Sequence, residues 1–374
     1  MTPMKAKPWR LTTLAVAMGI GIAAMNSSAS AQSDRIVNFY GWANYISPDV
    51  LAEFKRETGI SVRYDTFDTN DILEAKLLLG KSGYDVVVPT AYFVQRLIRA
   101  GVLRRLDKSR LPNLVHLWPD IASRLAAYDP GNAFAVNYMW GTTGIGYDAT
   151  QAEKILGAGK SISSWKTVFQ PQELAKFKNC GVEMVDSVDD ILTAALNYLG
   201  LEPNSIKLAD LERAAGVVRA IRPSVRRFNS SEYVNTLAAG EVCLVVGWSG
   251  DIKQAQMAAA DARSRVDIRY VIPDDRAQIW LDNLAIAKDA PHVDEAYALI
   301  DFLQRPEIAA KNTYLTRNAN GNLASQKFID PAIIGDPTIY PPPQVMKNLY
   351  TVNAREPAVQ RSLLRTWQRL KLGQ

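Results

Sequence analysis

The segments RIVNFY (residues 35–40), PDVLAEFKRETG (48–59), ISVRYDTF (60–67), NDILEAKLLLGKSG (70–83), YDVVVPT (84–90) and YFVQRLIRAG (92–101) follow one another near the start of the chain. The first, third and fifth are short, apolar, and rich in β-branched and aromatic residues, the make-up of strands. The others carry apolar residues at helical spacing. Pro48 opens PDVLAEFKRETG and Gly59 closes it, a start and stop suited to a helix. Asn70 is a candidate N-cap for the next helix. YDVVVPT is a continuous apolar run, as expected of a strand buried on both faces. Strand and helix in alternation build a parallel sheet, so the expected fold class is α/β.

The pattern continues. AFAVNY (133–138), GIGYD (144–148), CGVEMV (180–185), VCLVVGW (242–248), VDIRYVIP (266–273) and LDNLAIA (281–287) read as strands. DDILTAALNYLG (189–200), LADLERAAGVVRAIRP (208–223), YVNTLAAGE (233–241), VDEAYALIDFLQRPEIAAKNTYL (293–315) and PAVQRSLLRTWQRLKLG (357–373) read as helices. PAIIGDPTIYPPPQ (331–344) is Pro-rich and reads as an extended crossing segment. At about 100–200 residues per domain the chain has room for two. It shows no internal repeat, low-complexity tract or flexible linker. Two α/β lobes without a linker imply several chain crossings and one cleft.

Lys5, Lys7 and Arg10 precede an uncharged, mostly apolar run from Leu11 to Met25, followed by small residues ending Ala29-Ser30-Ala31. That is the layout of a secretory signal peptide cleaved after Ala31, giving residues 1–31 as the leader. The apolar run is shorter than the ~20 residues of a spanning helix. Export takes the protein away from ATP and NAD. Lys and Arg number 43 against 38 Asp and Glu, a net charge of +5. Three of those basic residues lie in the leader, so the remainder is nearly neutral and lacks the basic excess of a nucleic-acid binder. Cys180 and Cys243 are the two cysteines. An even count in an oxidising compartment favours one disulfide over two buried thiols. His116 and His292 stand at no metal-ligand spacing, so no metal site is expected.

In open α/β sheets ligands bind at the carboxyl ends of strands. After VNFY come Gly41, Trp42, Ala43, Asn44 and Tyr45, and after DVVV come Pro89 and Thr90. After GVEMV come Asp186, Ser187 and Asp190; after CLVVG come Trp248, Ser249, Gly250 and Asp251; before LAIA come Trp280 and Asp282. Aromatics and aspartates recur there, and arginines and lysines are absent. That combination suits a cationic organic ligand. Carboxylates pair with ammonium groups, and aromatic faces attract the cation by about 0.5–2 kcal/mol each. Taken singly, each Trp is as well explained by core packing and each Asp by helix capping, Asp190 above all. Trp248 and Asp251 are harder to dismiss, because both sit in a Gly-containing turn after a buried strand.

These residues carry a resemblance. The chain is similar, from about Val37 to its C-terminus, to periplasmic polyamine-binding proteins of ABC importers, especially the putrescine-binding branch. Matching motifs are FYGWANYISPDVLAEFKRETGI (39–60), YDVVVPTAYFVQRLIRAG (84–101), YMWGTTGIGYD (138–148), LNYLG (196–200), GWSGD (247–251) and IYPPP (339–343). The resemblance implies a two-lobed periplasmic binding protein of type II topology, closing on its ligand by a hinge. Residues 32–138 and 262–335 would form lobe 1, and 139–261 and 336–374 lobe 2. It implies a bridge between Cys180 and Cys243. It also implies packing of Trp42 and Trp248 on ligand methylenes and a small hydroxyl contact at Thr90. Ser230 would lie near the ligand. Asp190 and Asp251 would take one amine and Asp282 the opposite one. Ala43, Asn44, Tyr45, Tyr92 and Trp280 complete the implied ligand set. Asn44 stands where the family usually has an acid, and Ala43 where it has Ser or Thr. Thr316 falls where a Tyr is usual. Tyr92 and Trp280 look like the spermidine branch, and Asp251 like the putrescine branch.

The implied function is a non-catalytic receptor, monomeric and without cofactor, that delivers putrescine or a related polyamine to a membrane permease. A spermidine-preferring binder and a sensor subunit are the alternatives within the class. An exported enzyme is disfavoured: in GWSGD, Asp251 replaces the last glycine of G-x-S-x-G. GTTGIGYD lacks the order G-x-G-x-x-G.

Overall fold

A computed structural model describes residues 35–374; the expected leader lies outside them. Eleven strands form one sheet among the described residues: β1 (Ile36–Gly41), β2 (Ser61–Thr66), β3 (Val86–Val87), β4 (Ala135–Asp148), β5 (Val182–Met184), β6 (Arg227–Phe228), β7 (Leu244–Trp248), β8 (Ile268–Val271), β9 (Ala277–Ile286), β10 (Ala319–Asn320) and β11 (Leu349–Tyr350). Their main order is β2-β1-β3-β9-β4-β7-β5-β6. In one half β1 runs parallel to β2 and β3, and β9 lies antiparallel beside β3. In the other half β5 runs parallel to β6 and β7, and β4 lies antiparallel beside β7 and β8. The same plan is thus used twice. The parallel strands are joined through helices, so their carboxyl ends face the same crevice.

Strands β4 and β9 tie the halves together. Residues 135–143 of β4 pair with β9, while 143–147 pair with β7. Every residue of both strands is buried, the polar Asn137, Thr142, Thr143, Gln278, Asp282 and Asn283 among them. Two hydrophobic cores result. Phe39, Phe54, Leu97, Trp140, Ile286 and Phe302 belong to the first. Trp165, Phe177, Leu196, Tyr233, Val245 and Trp367 belong to the second. Fully burying such side chains stabilises by about 1.5–3 kcal/mol each. Cys180 and Cys243 form a disulfide in the second half, Cα atoms 5.5 Å apart.

Several sequence expectations need correction. AFAVNY and GIGYD are not separate strands but the two ends of β4, carried through Gly141 and Gly144 by pairing on both edges. VDEAYALIDFLQRPEIAAKNTYL is two helices, Val293–Leu303 and Pro306–Thr316. Pro306 cannot continue a helix but can begin one. PAIIGDPTIYPPPQ is not wholly extended: Pro331–Ile334 is a helical turn and Pro343–Asn348 a short helix. Thr69, not Asn70, caps the helix Asn70–Leu78, accepting from the Ile72 N–H. β9 begins at Ala277, ahead of the expected strand LDNLAIA, so Trp280 as well as Asp282 lies inside it. Trp248 ends β7, and Asp251 is in the first turn of the helix Ser249–Asp261.

Candidate functional site

A cavity of about 530 Å3 opens at the carboxyl ends of the strands. All twelve predicted ligand residues border it: Trp42, Ala43, Asn44, Tyr45, Thr90, Tyr92, Asp190, Ser230, Trp248, Asp251, Trp280 and Asp282. Strand ends supply most of them. β1 runs out at Gly41 into Trp42–Tyr45, and β3 leads to Thr90, which caps the helix Ala91–Arg99 carrying Tyr92. β5 leads to Ser187, which caps the helix Val188–Tyr198 carrying Asp190.

Asp282 reaches the cavity from mid-strand. The β4–β9 register slips between Asn137 and Met139, so that Asp282 faces Met139. Such an irregularity re-aims side chains. Tyr45 Oη donates to Asp282 Oδ2 at 2.7 Å, and Thr90 Oγ1 donates to Oδ1 at 2.6 Å. Asn70, freed from capping, fixes Thr90: its Nδ2 donates to Thr90 Oγ1 at 2.9 Å, and its Oδ1 accepts from the Thr90 N–H at 3.0 Å. Burial pushes the Asp282 carboxyl up to about 7, against the lowering pull of those two hydroxyl donors.

The other two acids are built alike. Asp251 accepts from Tyr233 Oη at 2.8 Å, and burial pushes its carboxyl up to about 6. Asp190 accepts from the hydroxyls of Ser187 and Thr143 and from Trp248 Nε1 at 3.4 Å. Burial raises its pKa as well. Asp190 and Asp282 are buried, and all three receive only neutral donors. The sole basic side chain among the described residues lining the cavity, Lys371, is paired with Asp186 at 2.7 Å. Asp189 is likewise neutralised, by the buried Arg355. Asp190, Asp251 and Asp282 are therefore left without a countercharge among the described residues.

Aromatic faces complete the walls. Trp42 and Trp248 are tilted at 57° with ring centroids 6.3 Å apart, and Trp42 also meets Phe67 at 4.5 Å. Trp280 crosses the backbone of Gly141, where an added Cβ would fall 2.4 Å from the indole. Asn44 is exposed, in the left-handed region at φ 56° that Asn and Asp tolerate. Ser230 Oγ is occupied, accepting from the Asp186 N–H at 2.9 Å. Thr316 is buried and does not border the cavity. Sequence reasoning missed Phe67, Asp71, Gln278 and Asn318 on the wall. Phe67 directly follows β2, so strand-end logic applied to β2 reaches it. Gln278 and Asn318 come from the first residues of β9 and from a loop, where no sequence signal marks them.

Twice-repeated α/β architecture around one deep, acidic, aromatic-walled cavity defines a protein that encloses a small solute. The chain belongs to the bacterial extracellular solute-binding protein family, whose model matches residues 49–339. It is 43% identical to the putrescine-binding periplasmic protein SpuD of Pseudomonas aeruginosa, over 97% of this chain and 98% of that one. It is 39% identical to the putrescine-binding periplasmic protein PotF of Escherichia coli, over 94% of this chain and 95% of that one. The fold matches the spermidine/putrescine ABC transporter substrate-binding protein PotD of Streptococcus pneumoniae with TM-score 0.74 and 26% identity, covering 91% of this chain and 99% of that one. All three are named as binding proteins, and the third as the substrate-binding protein of an ABC transporter. Among the described residues no helix is long and apolar enough to cross a membrane.

Proposed function

We propose that this protein is the receptor of a polyamine ABC importer. It binds putrescine in the cavity and hands it, as a monomer, to the membrane permease. The observation that carries this reading is the set of three carboxylates, Asp190, Asp251 and Asp282, that face one cavity with neutral donors only. A buried charge without a partner is costly, and a dication supplies the missing countercharge. Asp282 holds one ammonium, Asp251 and Asp190 the other, and Trp42, Trp248 and Trp280 cover the methylenes between. The cited relatives named for putrescine support the same ligand.

In this reading residues 1–31 direct export to the periplasm and are removed. Each lobe is built on one of the two cores. The lobe boundaries then fall after Trp140, after Tyr270 and before Leu363, where the chain passes from one core to the other. Closure brings the lobes together on the ligand. Spermidine is the second reading, favoured by Asp71. Its half-buried carboxylate borders the cavity and has no hydrogen-bond partner among the described residues. A third ammonium could pair there.

Binding is tested by thermal shift with putrescine, cadaverine, agmatine, spermidine and a set of amino acids. Putrescine is expected to raise the Tm most, by mass action, with Kd on the order of micromolar or tighter, about −8 kcal/mol. A response to amino acids and to no amine overturns the proposal.

A further inference from the structure

One polar side chain on the cavity wall has no role in the scheme above. Asn318 is 2% exposed and borders the cavity. Its N–H donates to Thr316 Oγ1 at 3.2 Å, yet its side-chain Oδ1 is buried without a hydrogen-bond partner among the described residues. The local chain explains its position. The helix Pro306–Thr316 ends at Arg317, which adopts the left-handed φ of 54° and turns Asn318 toward the helix Ser249–Asp261. A methyl group built on Gly250 would fall 2.0 Å from Asn318 Oδ1. The amide therefore rests against the residue next to Asp251, and only glycine leaves it room. Burying an amide oxygen with no donor destabilises the fold. Its retention at a cavity wall points to a partner from outside the chain.

We propose that Asn318 is a ligand-binding residue, whose side-chain carbonyl accepts a hydrogen bond from the ammonium group held at Asp251. The inference rests on the diamine reading of the cavity. An ammonium brings three N–H donors and no acceptor. Tyr233 already engages one Asp251 oxygen, and Thr143, Trp248 and Ser187 engage both oxygens of Asp190, so the two carboxylates offer that ammonium few free lone pairs. A neutral carbonyl adds an acceptor without adding charge. The terminal torsion of Asn is broad and roughly twofold, so rotation of the amide carries the carbonyl from Gly250 to the cavity without backbone motion.

Two variants test this, Asn318→Leu and Asn318→Ala, compared with wild type in ligand-free Tm and in putrescine affinity by calorimetry. Affinity is expected to fall about tenfold in both. Ligand-free Tm is expected to stay level or rise in Asn318→Leu, because an unpaired buried amide has been removed. Those opposite directions separate a ligand contact from a structural prop. Affinity within threefold of wild type in both variants overturns the inference, as does a fall in affinity accompanied by a lower Tm in both. Wild type that binds no amine overturns the diamine reading itself, and this inference with it. Wild-type binding with unaffected variants overturns this inference alone.

Discussion

Asp282 is held by two hydroxyls, Tyr45 and Thr90, that orient it without neutralising it. Replacing it by Asn keeps its shape and removes the charge. Truncating one partner of a desolvated charge pair costs about 2–5 kcal/mol, so Asp282→Asn is expected to weaken putrescine at least ~30-fold in calorimetry. A loss of less than threefold would place the ammonium elsewhere. The raised carboxyls also set a pH dependence. Asp282 titrates near 7 and Asp251 near 6 when folded, both above the ordinary 3.8. Between pH 4 and 7 the folded protein therefore holds protons that the unfolded chain has released. For these groups, ligand-free stability is greatest at the acid end and is lost as pH rises through the folded values. Putrescine needs the ionised forms, so its affinity should rise from pH 5 to pH 8, with protons released on binding near pH 6.5. Calorimetry in two buffers of different ionisation heat measures that release; a binding enthalpy independent of buffer would contradict it. Trp42, Asp190, Trp248 and Asp251 were legible in the sequence because they follow or end strands, whereas Trp280 and Asp282 sit inside β9 and rested on the resemblance. The supports of these side chains were not legible. Nothing in the sequence marks Asn70 as a partner of Thr90 rather than a cap, or Tyr233 as the donor to Asp251.

Elements with local signals read correctly, and elements decided by distant partners did not. Pro48 and Gly59 bound the helix Pro48–Thr58, and Gly59 takes the left-handed cap geometry at φ 70°. β4 shows the opposite case. Its glycines suggest a break, yet β9 on one edge and β7 on the other supply pairing along its whole length. The start of β9 was missed for the same reason: Ala277–Gln278 becomes strand only through its pairing with β4 and β11. The disulfide belongs to this scale. Cys180 precedes β5 and Cys243 precedes β7, and these two strands pair directly. The bridge closes 63 positions and is expected to contribute about 2–4 kcal/mol. Urea unfolding of the Cys180→Ser/Cys243→Ser double variant should show a midpoint lowered accordingly, and an unchanged midpoint would assign the bridge no stabilising role.

At the scale of the whole molecule, two cores joined by β4 and β9 leave one crevice. The crevice holds Asp190, Asp251 and Asp282, which pair with no basic side chain among the described residues. The parallel parts of the sheet were legible from the alternation of segments, and the repetition of the strand plan with its antiparallel strands was not. The way the long strands knit the halves together was not, because it depends on pairings across more than a hundred positions. The central claim is that the cavity is built for a charge at each end of a short chain. It is tested most directly by titrating putrescine and butylamine, which shares its four carbons but carries one ammonium, into protein refolded from denaturant to strip carried-over amine. The account predicts one putrescine per chain at micromolar Kd or tighter, and butylamine at least ~100-fold weaker, a difference of about 2.7 kcal/mol. Equal binding of the two amines, or binding of neither, would contradict it.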